Sequence, residues 1–293
     1  MKLAILILCH KNAKQINLFI DVLKCDDINF FIHVDKKSNI SNEIKEVEGV
    51  HFVPDDLRID VRWGEYSQIQ ATMNLIKYAN KYDIYDFFWL CSGQDFPIKP
   101  KEYILKYLER EKECNYIQFW SSLNYMDKKE NCYDKRNTLY YPKWIQRSSL
   151  AIRILKRLYV EITGGYGKTY SKFYRKDKIS EIKSYFGSQW FCINRKLVNW
   201  ILEFLNENNW YEEGFKHCSC PDESFFQTLF MLSDYKNSRQ DFLHYIDWSE
   251  GKRSPKNLTC DDFEKIINSK FLMARKIDLD SDRELIVKLI DTF

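Results

Sequence analysis

The residues able to do chemistry in this chain are a few carboxylates and a late group of cations. Asp35 ends the apolar run Phe30-Phe31-Ile32-His33-Val34, and Asp95 closes Ser92-Gly93-Gln94-Asp95, the polar turn that stops the apolar run at 87–91. Asp222 and Glu223 follow Pro221; Lys252, Arg253 and Lys256 come later, then Arg275-Lys276. A carboxylate at the carboxyl end of a strand can accept hydrogen bonds from a ribose or a uracil. A carboxylate within reach of a hydroxyl can take its proton. Arg and Lys can neutralise a departing diphosphate in place of a divalent ion. Together these groups suffice for glycosyl transfer without a metal. Each also has a plain structural explanation. Asp35 suits a solvated loop before Lys36-Lys37, and Pro221-Asp222-Glu223 suits the first turn of a helix, Pro at its first position and acids beside its positive end.

Other groups carry weaker signals. His10 and His33 have ligating nitrogens, but single histidines are more often just hydrogen-bonded. Trp63-Gly64 stands ahead of a helical pattern and offers a flat apolar wall with free backbone N–H groups. His217-Cys218-Ser219-Cys220 has no second ligand pair at zinc spacing. Asp280-Ser281-Asp282 is a formal D-x-D, but it sits in a charged tail, not behind a hydrophobic strand, and reads as solvated surface. P-loop, dinucleotide-binding, zincin and nucleophile-elbow motifs are absent. No metal and no cofactor is expected.

The elements that must position these residues follow from periodicity. Residues 3–8 and 30–35 read as buried strands around a helix with Ile16, Phe19, Ile20 and Leu23 on one face, a βαβ unit. Residues 50–54 read as a strand, and 68–80 as a helix with Ser67 as N-cap. Strands are also expected at 87–91, 115–120 and 187–193. Helices are expected from Lys101, at 195–206 and at 261–268. A buried strand that stops in a polar glycine turn is where an open α/β sheet puts its ligand.

The 293 residues, 45% of them hydrophobic, allow one large α/β domain, and neither repeat nor linker divides 1–293. Residues 121–184 form an irregular basic and aromatic insertion. Within it, Ala151, Ile154, Leu155, Leu158, Tyr159 and Ile162 share a helical face opposite Arg153, Lys156 and Arg157. Such a face more often packs on the protein's own core; the alternative is peripheral contact with an anionic membrane. A net charge of +3 argues against a nucleic-acid partner. The run Leu3–Cys9 is far too short for a membrane span and lacks a cleavage site. Nine cysteines without a C-x-x-C pair fit a reducing compartment, so the cytoplasm is expected.

Ordered blocks over most of the chain carry a resemblance. They are Cys9-His10-Lys11, His33-Val34-Asp35, Trp63-Gly64, Ser92-Gly93-Gln94-Asp95-Phe96-Pro97-Ile98 and Gly187-Ser188-Gln189-Trp190-Phe191. After these come Pro221-Asp222-Glu223-Ser224-Phe225-Phe226, Tyr245-Ile246-Asp247-Trp248 and Ala274-Arg275-Lys276-Ile277-Asp278. The sequence resembles the core-2/I-branching β-1,6-N-acetylglucosaminyltransferases, a family that includes the peptide O-xylosyltransferases. Only 121–184 lacks a matching block. The resemblance implies a GT-A-type glycosyltransferase, a Rossmann-like α/β/α sandwich with a mostly parallel sheet. It further implies an inverting, metal-independent displacement from a UDP-sugar to a saccharide or lipid-linked glycan.

By motif position, Glu223 is similar to the family's base, Lys276 to its diphosphate lysine and Trp248 to its acceptor-stacking tryptophan. Arg253 is the candidate for the partnering arginine. His10 and Asp35 fall at the uridine, Trp63 and Gly64 at the donor, and Asp95 near the sugar. The expected donor is UDP-N-acetylglucosamine. UDP-xylose, or a non-catalytic saccharide-binding protein on the same fold, is the alternative. The cysteine pattern and the absence of an anchor suggest a bacterial enzyme of surface polysaccharide synthesis, in the cytoplasm and peripheral to the inner face of the plasma membrane.

Overall fold

A computed structural model describes residues 1–120, 134–140, 154–155, 158, 161–162, 175–252 and 254–293. Strand β1 (Leu3–Cys9) is apolar throughout because it lies mid-sheet with both faces covered. It pairs in parallel with β2 (Ile28–Val34) on one side and β4 (Phe87–Ser92) on the other. Beyond β2 lies β3 (Val50–Phe52), also parallel. Beyond β4 come β7 (Phe191–Asn194), antiparallel to it, then β6 (Asn115–Ile117) and β8 (Arg239–Gln240), giving the order β3-β2-β1-β4-β7-β6-β8.

Side chains alternate across the sheet. Leu3, Ile5 and Ile7 of β1 and Phe87 and Trp89 of β4 join one core cluster with α1 (Ala13–Leu23). Ala4, Leu6, Phe88 and Leu90 face the opposite cluster with α2 (Ser67–Tyr82). The helix α3 (Lys101–Arg110) joins the first layer. The short helices α4 (Asp134–Thr138) and α5 (Lys178–Glu181) pack on each other. On the second layer α6 (Arg195–Glu207) is followed by α7 (Asn209–Phe215) and α8 (Phe225–Leu232). Finally α9 (Phe263–Ile267) and α10 (Arg283–Ile290) return to the first. The result is a mixed α/β/α sandwich, the architecture that the resemblance implies.

A second, three-stranded sheet caps the carboxyl edge: β5 (Asp95–Pro97) runs antiparallel to β10 (Met273–Arg275), which runs parallel to β9 (His244–Ile246). Its register sets Arg275 beside Asp95, 180 residues earlier in the chain.

Several local expectations are corrected. Ser67 is not the N-cap of α2: it is the first helical residue, and its Oγ accepts the Arg62 N–H. The strand expected at 187–193 begins only at Phe191, because the Gly187 N–H is bonded to the Glu223 carbonyl rather than to a strand. Pro221–Glu223 is a 3-10 turn, and the α-helix starts afterwards at Phe225; Cys220 enters the turn with φ 47° and Ser224 leaves it with φ −137°, which breaks helical continuity. At 280–282 Asp280 and Ser281 are exposed, as expected, but Asp282 is engaged: its side chain caps α10 by accepting the Leu285 N–H and also takes the Cys260 N–H. Most of 149–162 lies outside the described residues. The described Ile154, Leu155, Leu158 and Ile162 are exposed, not packed on the core. Among the described residues, no helix is long and apolar enough to cross a membrane.

Candidate active site

The chain leaves β1 towards α1 on one face and reaches β4 through α2 on the other. The loops after β1, β2 and β4 gather at the carboxyl edge, where they line a crevice. It holds a cavity of about 970 Å³, the upper end of the range for small-molecule sites. One wall comes from strand ends: His10 and Lys11 after β1, Asp35 after β2, Ser92 to Gln94 after β4. The facing wall carries Gln118, Gln189, Trp190, Asp222 and Glu223. Trp63 and Trp248 line it while largely open to solvent.

One region of the lining is cationic. Arg275 and Lys276 leave β10 into the cavity, with Lys11 close by. Lys11 is held by Asp278 at 2.7 Å, and the same carboxylate accepts from Asn12 at 3.0 Å and Gln94 at 3.1 Å, tying together the loops after β1, β4 and β10. Arg275 donates to Asp95 Oδ1 at 2.7 Å and to Ser92 Oγ, and lies 4.2 Å from the centre of the Trp190 ring. Lys276 differs: its carbonyl accepts the Leu258 N–H, but its ammonium makes no hydrogen bond or ion pair with a described residue. Burial, then the charges of Arg275 and Lys11, pull its pKa below the ordinary lysine value. An unpaired ammonium beside a second cation is a site for an anion.

The carboxylate end is built on the turn Pro221–Glu223. The Glu223 carbonyl accepts the Gly187 N–H at 2.9 Å. A Cβ on Gly187 would lie 1.8 Å from the Gln118 carbonyl oxygen, so only glycine allows this approach. The Glu223 carboxylate is paired with Arg136 of α4. Burial raises its pKa, and Arg136 opposes the rise without cancelling it. Asp222 is more deeply buried, at 8% exposure, and burial, then the Glu223 charge, push it up to about 7. Its Oδ2 accepts from Gln68 at 3.4 Å, while its Oδ1 is buried without a hydrogen-bond partner among the described residues.

The fold thus brings Glu223, Trp248, Lys276, His10, Asp35 and Trp63 to one cavity, from six separate parts of the sequence. Two candidates play different parts from those expected. Asp95 is 1% exposed and does not line the cavity; it accepts the Ser92 N–H and anchors Arg275, so it reaches a donor only through that guanidinium. Although burial pushes the Asp95 carboxyl up, Arg275, followed by His244, holds it below the usual carboxylate range. Gly64 has no free N–H to offer: its amide donates to Gln68 Oε1 at 2.7 Å and its carbonyl accepts the Cys220 N–H. With φ 73° it is a turn glycine joining α2 to the Glu223 turn. Arg253 lies outside the described residues. Asp35 is engaged locally by the Lys37 N–H and ammonium, yet still faces the cavity.

Two contributors were not singled out from sequence, Arg136 and Gln68. Arg136 lies where no motif was found. Arg275, named with the late cations, gets its anchored position from the β5–β10 register. Gln68 is buried on the inner face of α2, and a glutamine at an apolar position of that helix was its signal. His33, by contrast, is structural: its Nε2 accepts the Ile59 N–H.

Cys91, Asp95 and His244 lie beneath the floor with ligand-type atoms within 4.8 Å of one another, all buried. Asp95 is already neutralised by Arg275, and that guanidinium would repel a second cation there. The cluster reads as support for Arg275.

Comparison with known proteins accords with this geometry. The family model of the Core-2/I-Branching enzyme matches residues 3–272. A xylosyltransferase of Ciona intestinalis is 22% identical over 98% of this chain, and xylosyltransferase 1 of Homo sapiens 21% over 99%. The alignments take in 33% and 30% of those proteins, so the chain spans about a third of the length of these curated relatives. Among solved structures, the galactosyltransferase LgtC, determined with donor and acceptor sugar analogs, aligns with 99% of this chain and 96% of its own, at 9% identity and a TM-score of 0.36. The family model covers most of the chain, and the sheet, its crevice and its mostly parallel order are those of a GT-A-type fold: the chain belongs to the core-2/I-branching enzyme family of glycosyltransferases.

Proposed function

We propose that the chain transfers a sugar from a UDP-sugar to a saccharide hydroxyl, with inversion and without a metal. The observation that carries this is a single cavity with the Lys276 ammonium, unpaired among the described residues, and anchored Arg275 in one region and the Glu223 carboxylate in another. In the proposed step Glu223 takes the acceptor hydroxyl proton as that oxygen forms its bond to the anomeric carbon. The bond from that carbon to the diphosphate oxygen breaks, and its electron pair leaves with UDP. Lys276 and Arg275 offset the charge that develops on the leaving group. Trp248 and Trp63, exposed beside the cavity, offer flat faces for pyranose rings.

Two donors are retained. UDP-N-acetylglucosamine follows from the family's branching members. UDP-xylose is favoured by the relatives named as xylosyltransferases, which align along nearly the whole chain. The test is UDP release from a panel of UDP-sugars, with wild type and Glu223→Gln compared. Wild type is expected to turn over one donor well above the rest, and Glu223→Gln to lose roughly 10²–10⁴ in turnover with little change in UDP affinity. Near wild-type turnover of Glu223→Gln would remove Glu223 as the base. Release of UDP from no member of the panel would favour a non-catalytic saccharide-binding protein.

A further inference from the structure

We propose that Arg136 is the positioning residue of the base: it fixes the Glu223 carboxylate in place and keeps it charged for proton abstraction. The proposal rests on the reading of Glu223 given above. The Arg136 Nη1 donates to Glu223 Oε2, within a pair that is partly withdrawn from solvent, at 21% and 31% side-chain exposure. Among the described residues, Glu223 lines the cavity and Arg136 does not, so the cation stands behind the carboxylate. Oε1 has no hydrogen bond to a described residue. That oxygen is left to meet an acceptor hydroxyl.

The helix α4 that carries Arg136 is itself pinned to the turn of the base. The Arg136 carbonyl accepts the Ser219 N–H at 3.0 Å. Next to it, Asn137 Nδ2 donates to Ser224 Oγ at 2.7 Å and to Ser184 Oγ at 3.0 Å. The Thr138 carbonyl accepts the Arg175 N–H at 2.9 Å. Arg136 is therefore bracketed by contacts to Ser219 and Ser224, residues on either side of Glu223. Its placement does not rely on the flexible stem of the side chain alone.

The site has a physical need for this cation. A partly buried carboxylate is disfavoured in its charged form, and burial does raise the pKa of Glu223. The turn Pro221–Glu223 ends before α8 begins, so Glu223 is not within the first turn of that helix, where its dipole acts. A guanidinium stays protonated throughout the working range and opposes the burial effect at every pH. Among the described residues, the titratable groups facing Glu223 are Arg136 from α4 and Asp222 and Cys220 from its own turn. The Cys220 thiol, pushed up to about 11, stays neutral near pH 7. Asp222 titrates nearby and has to be controlled for.

The test is the pH profile of UDP release from UDP-xylose and UDP-N-acetylglucosamine, with water or added saccharide as acceptor, from about pH 5 to about pH 9. Wild type, Arg136→Lys, Arg136→Met and Glu223→Gln are compared, and the arginine variants are repeated in an Asp222→Asn background. Removing the cation leaves the carboxylate protonated to higher pH. Arg136→Met is therefore expected to lose roughly tenfold in turnover at about pH 6 and to approach wild type by about pH 9, in both backgrounds. Arg136→Lys, which keeps the charge, is expected to restore most of the acidic limb. Calorimetry with UDP reports whether each variant is folded, and Arg136→Gln stands in should Arg136→Met fail to fold. A loss by the same factor at every pH, or an unmoved acidic limb, overturns the proposal. Those results with Glu223→Gln inactive overturn it alone; active Glu223→Gln removes the base reading as well.

Discussion

Asp222 and Glu223 are neighbours in sequence with different environments, and the difference has a measurable consequence. The ordinary carboxyl pKa of Asp222 is 3.8, which is its expected value in the unfolded chain; in the fold, burial and the Glu223 charge bring it up to about 7. The folded state therefore holds the Asp222 proton more tightly than the unfolded state does. The stability contributed by the neutral carboxyl is fully present below about pH 4 and is lost as pH rises through about 7. Its ceiling is about 4 kcal/mol. Asp222→Asn removes the titration and keeps an acceptor for Gln68. Its melting temperature relative to wild type should rise steadily between about pH 4 and about pH 8. Parallel melting curves for the two proteins over that range would show that Asp222 does not titrate this way. None of this was legible locally: a Pro-Asp-Glu triplet reads as an ordinary helix start, and what changes the meaning of its acids is burial against Gln68 and the approach of Arg136.

Elements decide how far a carboxylate can be trusted to stay put. The turn of Glu223 is fastened from outside its own segment, by the Gly187 N–H on the Glu223 carbonyl and by the Cys220 N–H on the Gly64 carbonyl. Both fastenings use glycines at conformations or approaches closed to other residues: Gly64 at φ 73°, Gly187 against the Gln118 carbonyl. The sequence exposes both glycines and suggests a ligand-facing loop for Gly64. The fold uses them to join α2, the segment entering β7 and the 3-10 turn into one support. Gly187→Ala forces a Cβ into a backbone carbonyl, so it should cost more than about 2 kcal/mol in stability. It should also lower turnover beyond what the melting shift explains, because the Glu223 turn must move. Thermal melting and UDP release on the same sample separate the two effects; unchanged values for both would mean that the segment relaxes freely. Regular elements were the most legible part of the chain. The helices at 101–110 and 195–207 and the strands β1, β2 and β4 follow from periodicity, because each has a wholly or half apolar face to bury. The short strands β8, β9 and β10 depend on pairing with distant partners, and pairing is not written in local pattern.

At the scale of the molecule the charge is nearly balanced, at +3, so any preference for a diphosphate has to come from the arrangement of charges rather than their sum. That arrangement is visible. Asp278 neutralises Lys11, Asp95 neutralises Arg275, and Lys276 is left unpaired among the described residues, with Arg275 and Lys11 next to it. Burial makes that lysine costly to keep charged, and an anion bound beside it removes the cost. On the proposed reading a side-chain cation already in place takes the part of a divalent ion, so turnover should persist in EDTA and should not rise on adding manganese. The same argument fixes the effect of removing the lysine. A charge-assisted contact contributes about 1.5–3 kcal/mol, so Lys276→Ala should weaken UDP binding roughly tenfold to a hundredfold, with added metal unable to restore it. Calorimetry with UDP and UDP-release assays, each with and without EDTA, read both halves. Activity abolished by EDTA and restored by manganese would mean that a metal carries the leaving-group charge; unchanged UDP affinity in Lys276→Ala would mean that the ammonium is not on the diphosphate.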